Sequence, residues 1–298
     1  MKKTMLSTIL ASVLLTGSLY AKASDIKTVN EVNRNAVIKG NQDALASQKH
    51  LIKEAITSLE FSAKALMNLN KNNTKEAQAN IEKALGKLEV ILSAKDAPKF
   101  LPIDSSVTMR EFVGTKKDIE QTVDTVKDLL NKNKVQVARE LLDSLQSEID
   151  ISVVSLPLIT YPDALKLTAN YIHENKIEEA KHVLNVALNT FDTTVQIMPL
   201  PLLKASELIN VSAHLCENGK KEEALKYLKS AENQLNIAQA LGYVSHSDTT
   251  YKTLYTIIKH VRKEIKGKNE AEKIYDELKT KLKDFKEKIF SEKVETKK

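Results

Sequence analysis

The sequence predicts a mainly α-helical protein: an all-α fold of antiparallel helical hairpins in a single compact, bundle-like domain. Two observations predict it. Apolar residues recur at three- and four-residue steps through most of the chain, as they do along one face of a helix. The pattern also repeats, because Asp150 and Asp192 are 42 residues apart, as are Pro157 and Pro199. Such regular spacing indicates a repeated helical unit.

The repeated helices share a pattern at their starts. Asn133, Asn175 and Gly219 are each followed three residues later by Gln or Glu, and five residues later by an alanine. We expect these three residues to cap the helices that follow, with the Gln or Glu completing a capping box. We expect the alanines to let each helix lie close to a neighbour.

The N-terminus indicates export. Lys2 and Lys3 precede the apolar run 5–17, which is too short to span a bilayer, and small residues follow at 18–23. We therefore expect a signal peptide at 1–21, with cleavage after Ala21 or Ala23 and delivery of the mature chain to the periplasm. The predicted remainder is a helical core with internal repeats at 22–267 and an amphipathic helix with a polar tail at 268–298. Residues 22–35 are polar and are expected to be loosely ordered.

Two proline-containing runs, 155–162 and 196–203, are too apolar for exposed loops. We expect them to be extended connections that lead into helices and pack together, because buried backbone groups need partners. Either they are plain connectors, or a groove between them binds a ligand. The candidate contacts are Leu156, Pro157, Tyr161, Met198 and Pro199. A third irregular stretch, 95–114, contains Pro98 and Pro102, and a short strand or extended arm is predicted near 107–113.

The predicted C-terminal helix, 269–289, carries a narrow apolar stripe on an otherwise charged surface. Its members step by three or four: Ile274, Leu278, Leu282, Phe285 and Ile289. A helix this charged is marginal alone, so the stripe must be buried. It folds back on its own core, packs on another subunit, or binds a foreign partner, and Leu278, Leu282 and Phe285 are therefore candidate partner contacts.

Sequence motifs for catalysis are absent. The seven glycines form no phosphate-binding loop, no serine elbow is present, and the six histidines form no HxxxH pair. We expect no catalytic residues, no metal ligands, no cofactor and no enzymatic activity. The net charge of +6 is spread over mixed charges and Trp is absent, so nucleic acid is not an expected partner. Histidine protonation near pH 6.5 is a candidate signal that changes assembly.

Four segments resemble the YfdX family of exported bacterial proteins: FLPIDSSVTMREFVG (100–114), SEIDISVVSLPL (147–158), VQIMPLPL (195–202) and ENQLNIAQALGY (232–243). The likeness extends over about 40–290. It implies an all-helical, homo-oligomeric periplasmic protein associated with envelope stress and with acid or drug tolerance. The family offers no catalytic residues to carry over. Phe100 stands where a tryptophan is expected, so no ligand role is carried to that position.

The function expected from the sequence is therefore binding without catalysis. The first candidate is a stress-linked periplasmic protein that takes small amphipathic molecules or partly unfolded clients. The alternative is a tetratricopeptide-like helical scaffold that binds an envelope protein, although the 42-residue spacing differs from the 34 residues of such repeats. An unrecognised enzyme is the last alternative. No membrane span is expected after the signal peptide is removed.

Overall fold

The computed structural model describes residues 27–46, 52–245, 249–266 and 271–291, which contain eleven α-helices and three β-strands. The helices are α1 (Val29–Ala46), α2 (Lys53–Asn70), α3 (Thr74–Leu92), α4 (Lys116–Asn131), α5 (Val135–Ser144), α6 (Tyr161–His173), α7 (Ile177–Leu188), α8 (Leu200–Glu217), α9 (Lys221–Ala240), α10 (Thr249–Lys266) and α11 (Ala271–Ser291). The strands are β1 (Phe100–Arg110), β2 (Glu148–Pro157) and β3 (Asp192–Pro199). The predicted signal peptide lies outside the described residues.

A helical hairpin followed by a strand is the repeated unit of the fold. It occurs as α2–α3–β1, α4–α5–β2 and α6–α7–β3, and a fourth hairpin, α8–α9, leads on to α10 and α11. The prediction of a mainly helical protein built from hairpins is confirmed. The strand in each unit also explains why the 42-residue spacing is longer than the roughly 34 residues of a purely helical repeat.

The three strands form one antiparallel sheet in the order β1-β2-β3. Phe100 pairs with Pro157 and Arg110 with Glu148, while Glu148 pairs with Pro199 on the other side. Parts of the two apolar runs, 155–157 and 196–199, are strands rather than irregular connections, because pairing satisfies their backbone groups. The prediction that the two runs pack together was wrong, because the antiparallel register places them at opposite ends of the β2–β3 ladder: Ser155 pairs with Asp192, whereas Gln196 pairs with Ile151. The strand predicted near 107–113 is longer and earlier, at 100–110. It tolerates Pro102 because it is an edge strand with a register irregularity there.

The helical hairpins share one turn. Asn72, Asn133, Asn175 and Gly219 all have a positive φ, between 55° and 72°. The residue after each donates its N–H to a carbonyl five residues earlier in the chain, as Lys134 does to Leu129 (2.9 Å). This is the Schellman arrangement that ends a helix. The prediction that Asn133, Asn175 and Gly219 cap the following helices was therefore wrong, because the left-handed backbone places them one residue before the N-cap and no side-chain cap forms.

Small residues let the paired helices approach each other. The alanine that follows each turn is almost fully buried: Ala77, Ala138, Ala180 and Ala224. Their N–H groups complete the first helical hydrogen bond of the new helix, as from Ala180 to the Lys176 carbonyl (3.0 Å). The predicted close approach at these alanines is confirmed, and it explains the alanine in each repeat.

Two large apolar clusters hold the helices together, and one of them includes part of the sheet. One joins α2, α3, α6 and α7 to the β1–β2 end that contains Leu101 and Leu156. The other joins α8, α9, α10 and α11. A small cluster around Ile149 and Ile151 links α1, the sheet and the start of α8. Leu278 and Leu282 of α11 belong to the second cluster, so the fold-back of the C-terminal helix onto the chain's own core is confirmed for them.

The expectation of loose order at 22–35 was wrong for residues 29–35, because α1 begins at Val29, while residues 22–26 lie outside the described residues. Its N-terminal end has a capping box, in which Glu31 accepts from the Thr28 N–H at 2.6 Å. The helix packs on α8 through small residues. Gly40 faces Leu203 so closely that a Cβ there would overlap it. Three of the five buried positions of α1 are Ala or Gly. The helical pattern of large apolar residues is therefore weak in this part of the sequence, although one face of the helix is buried.

Candidate functional site

A cleft of about 610 Å³ lies between α1, the segment that follows β1, and helices α8 and α9. Its lining mixes apolar and polar side chains. The apolar ones are Val37, Ile38, Met109, Phe112, Val113, Pro201 and Ile237, and the polar ones are Asn30, Asn33, Arg34, Glu111, Ser147, Lys204 and Gln234. A volume of this size is typical of small-molecule sites.

A partly buried ion pair lies in the cleft. Lys204 Nζ is 2.6 Å from Glu111 Oε1, and the lysine side chain is only 10% exposed whereas that of the glutamate is 37% exposed. Lys204 is buried because it interrupts the apolar first turns of α8, between Leu203 and Ala205. A lone lysine in such a run was the signal in the sequence that could have found this site.

The apolar wall comes from the end of β1 and the segment after it, together with Ile38 of α1. Met109 and Ile38 are about half exposed, and Val113 is 88% exposed. The ring of Phe112 lies over Gly114, where any side chain would overlap it. The absence of a side chain at Gly114 therefore allows the aromatic ring to lie along the cleft wall.

Polar groups complete the rim. The side-chain oxygen Oδ1 of Asn33 is buried and accepts no hydrogen bond from the described residues. Arg34 is exposed beside it on α1, and Gln234 projects from α9. The cleft thus offers an apolar wall together with an unused acceptor, two cationic side chains and one carboxylate.

The central strand of the sheet carries a second polar cluster. Burial raises the pKa of Glu148, while a hydrogen bond with Tyr243 opposes this. Burial also raises the pKa of Asp150, although Arg110 lies 3.3 Å from its Oδ2 and acts in the other direction. Tyr243 also accepts the Ser147 N–H at 2.8 Å. This cluster fastens the α9–α10 connection to the central strand.

The ligand candidates predicted from the sequence lie elsewhere. Leu156, Tyr161 and Pro199 are buried, Pro157 and Met198 are half-buried, and none of the five lines the cleft. The two runs do not meet, because the antiparallel register of β2 with β3 places 155–157 and 196–199 at opposite ends of the paired strands, and no groove forms between them. Leu278 and Leu282 are buried in the core formed with α8, α9 and α10. The side chain of Phe285 lies outside the described residues.

The described residues offer neither a metal-binding cluster nor a membrane-spanning helix. Within the described ranges, no group of three or more His, Cys, Asp or Glu side chains is arranged to hold a metal ion. Over the same residues, no helix combines the length and the apolar composition needed to cross a membrane. The described histidines are His173, His182, His214 and His260, and all four are exposed or partly exposed.

Comparison with known proteins gives the family. The family model described as YfdX protein matches residues 59–197, from within α2 to near the end of β3. Over this region the chain belongs to the YfdX family. Among solved structures, the chain is similar to a structure of Salmonella Typhi YfdX, with 15% identity and a TM-score of 0.35. That alignment covers 50% of this chain and 93% of the other. A search of curated proteins finds no match.

The YfdX match is shorter than the 40–290 expected from the sequence. It contains the segments at 100–114 and 147–158 and ends within the one at 195–202, whereas the segment at 232–243 lies outside it. The YfdX region supplies Met109, the segment 111–114 and Ser147 to the cleft. The flanking helices α1, α8 and α9 supply the rest of the lining, including Lys204 and Gln234. The cleft therefore forms where the YfdX region meets these helices.

Proposed function

We propose that this YfdX protein binds small amphipathic molecules in the cleft between α1, β1, α8 and α9, without catalysing a reaction. One observation carries the proposal: an exposed apolar wall faces a partly buried ion pair and an unused amide oxygen within about 610 Å³. Apolar walls with a few fixed polar groups are typical of ligand sites. The volume fits a small molecule better than a long unfolded client segment.

We further propose that the binding takes place in the periplasm and serves the response to envelope stress, including acid. The charged start and the short apolar run at 5–17 support export. Resemblance to YfdX proteins supports the stress role and a homo-oligomeric state. The test of export is N-terminal sequencing of periplasmic protein, which should begin at Lys22 or Ser24. A full-length N-terminus in the cytosol would contradict it.

The binding test uses N-phenyl-1-naphthylamine, a neutral probe that fluoresces in apolar surroundings. The wild-type chain should raise its fluorescence in a saturable way. Met109→Gln places an amide on the apolar wall and should weaken the probe's affinity about threefold to tenfold, since roughly 0.7–1.4 kcal/mol of apolar contact is lost.

The matched control is Val186→Gln. Val186 lies on α7, is as exposed as Met109 and does not line the cleft. Its replacement should leave the affinity unchanged. Equal weakening by the two substitutions, or the absence of saturable binding to the wild-type chain, would refute the proposed site.

A protein partner is the second candidate, because one hairpin has an apolar face that the described residues leave uncovered. Leu130, Val135 and Leu142 of the α4–α5 hairpin are each about half exposed. A partner bound there would slow amide hydrogen exchange in α5 when the chain is placed in periplasmic extract rather than in buffer. Unchanged exchange in α5 would remove this candidate.

A further inference from the structure

Lys204 requires an anion beside it. Its side chain is only 10% exposed, and its one ionic partner among the described residues is Glu111. An ammonium group left unpaired in such surroundings is strongly unfavourable. Any molecule that fills the cleft must therefore leave the Lys204–Glu111 pair intact or supply an anion of its own.

Lys204 and Glu111 differ in how easily each side chain can move out of the ion pair. Lys204 lies within helix α8, where the surrounding core holds its side chain. Glu111 lies just beyond the end of the edge strand β1, with more than a third of its side chain exposed. Rotation of the glutamate into solvent exposes a carboxylate that is already partly hydrated, whereas the lysine side chain is only 10% exposed. Glu111 is thus the replaceable member.

The charge around the cleft also favours a negative ligand. Apart from Glu111, the charged side chains of the lining are Arg34 and Lys204, both cationic. The N-terminal turn of α8 borders the cleft at Pro201, and no acidic residue lies in that turn to offset the positive end of the helix dipole. The field in the cleft is therefore positive once Glu111 has rotated away.

We propose that the cleft selects amphipathic carboxylates, whose carboxylate replaces Glu111 at Lys204 while the apolar part lies on Met109, Phe112 and Ile38. This rests on the proposed binding function and adds the chemical class of the ligand. Glu111 then acts as an internal substitute that keeps Lys204 neutralised while the cleft is empty.

The test compares three ligands that share one chain and differ in headgroup: decanoate, decanamide and decylammonium, each below its micelle concentration. Calorimetric titration of the wild-type chain should give decanoate about tenfold tighter binding than decanamide, because a charge-assisted hydrogen bond is the stronger contact. Decylammonium should bind more weakly than both.

Two substitutions separate the roles of the pair. Glu111→Gln removes the competing carboxylate, so decanoate should bind about tenfold tighter than to the wild-type chain while decanamide changes little. The same variant should melt at a lower temperature, because Lys204 is unpaired, and decanoate should restore the loss. Lys204→Met, which keeps the volume and removes the charge, should abolish the preference for decanoate over decanamide.

The matched control is Glu140→Gln, an exposed glutamate of α5, which should change neither the affinities nor the melting temperature. Tighter decanoate binding to the Glu111 variant, lost in the Lys204 variant, supports the proposal. Equal binding of decanoate and decanamide to wild-type and Glu111→Gln chains would overturn it and leave the binding function standing. Failure of decanamide and the neutral naphthylamine probe to bind would instead overturn the binding function.

Discussion

Leu156 tests whether the sheet is part of the core or lines an open groove. The residue is fully buried near the end of β2, opposite Leu101 on β1, within the cluster that holds α2, α3, α6 and α7. Leu156→Ala removes three carbon groups, which corresponds to about 2.4 kcal/mol of lost transfer free energy. The cavity left behind adds to this, so the free energy of unfolding should fall by about 3–4 kcal/mol.

Thermal and urea unfolding measure this loss, and the expected fall in melting temperature is roughly 10 °C. Ile159→Ala is the matched control, because Ile159 lies three residues further on and is 64% exposed. Its replacement should change the stability by less than about 0.5 kcal/mol. Equal effects of the two substitutions would refute the burial of β2 and favour the open groove. Leu156→Asp would also bury an unpaired charge, and we expect that variant not to fold.

Three further predictions concern the rest of the chain. Because burial raises the pKa of Glu148, the folded chain holds this proton more tightly than the unfolded chain, and its stability falls as the pH rises above about 4.5. Glu148→Gln should remove this fall. Urea unfolding should therefore show that the free energy of unfolding of the variant increases relative to that of the wild-type chain as the pH rises above about 4.5. A difference that stays constant with pH would contradict the prediction. Gly219 has a positive φ, so Gly219→Ala should destabilise the chain by about 1–2 kcal/mol. Gly86 lies in the middle of α3 with open space beside it, so Gly86→Ala should stabilise the chain slightly. Chemical denaturation measures both changes, and equal effects would contradict the left-handed turn at Gly219. Deleting everything after Gly267 removes α11 and should lower the melting temperature without changing the oligomeric state measured by light scattering, whereas a loss of subunits would indicate a subunit contact.

The helical hairpins were predictable because their signal is local. Apolar steps of three and four residues identify the buried face of a helix wherever its partner lies. The alanine after each turn was also visible, as at Ala138 and Ala180. The turn residues were assigned to the wrong helix, because asparagine is favoured both at an N-cap and in a left-handed turn. Only the backbone angles distinguish these two roles.

The strands show where local signals fail. The runs 148–157 and 192–199 are apolar and contain proline, which suits both an extended connection and an edge or terminal strand. Their identity as strands depends on hydrogen bonds between segments roughly forty residues apart in the chain. The groove predicted between 155–162 and 196–203 does not form, because the antiparallel register places these runs at opposite ends of the ladder, and its candidate contacts are core or half-buried residues.

By itself, the sequence determined the mainly helical class, the repeat, the family and the absence of recognisable catalytic motifs, since each follows from residues close together in the chain. The tertiary structure alone decided that α1, the end of β1, α8 and α9 enclose a cleft, and that Lys204 meets Glu111 across 93 positions of sequence. Neither residue carries a local signature of that meeting. A binding site depends on side chains from distant segments, and only packing brings those segments together.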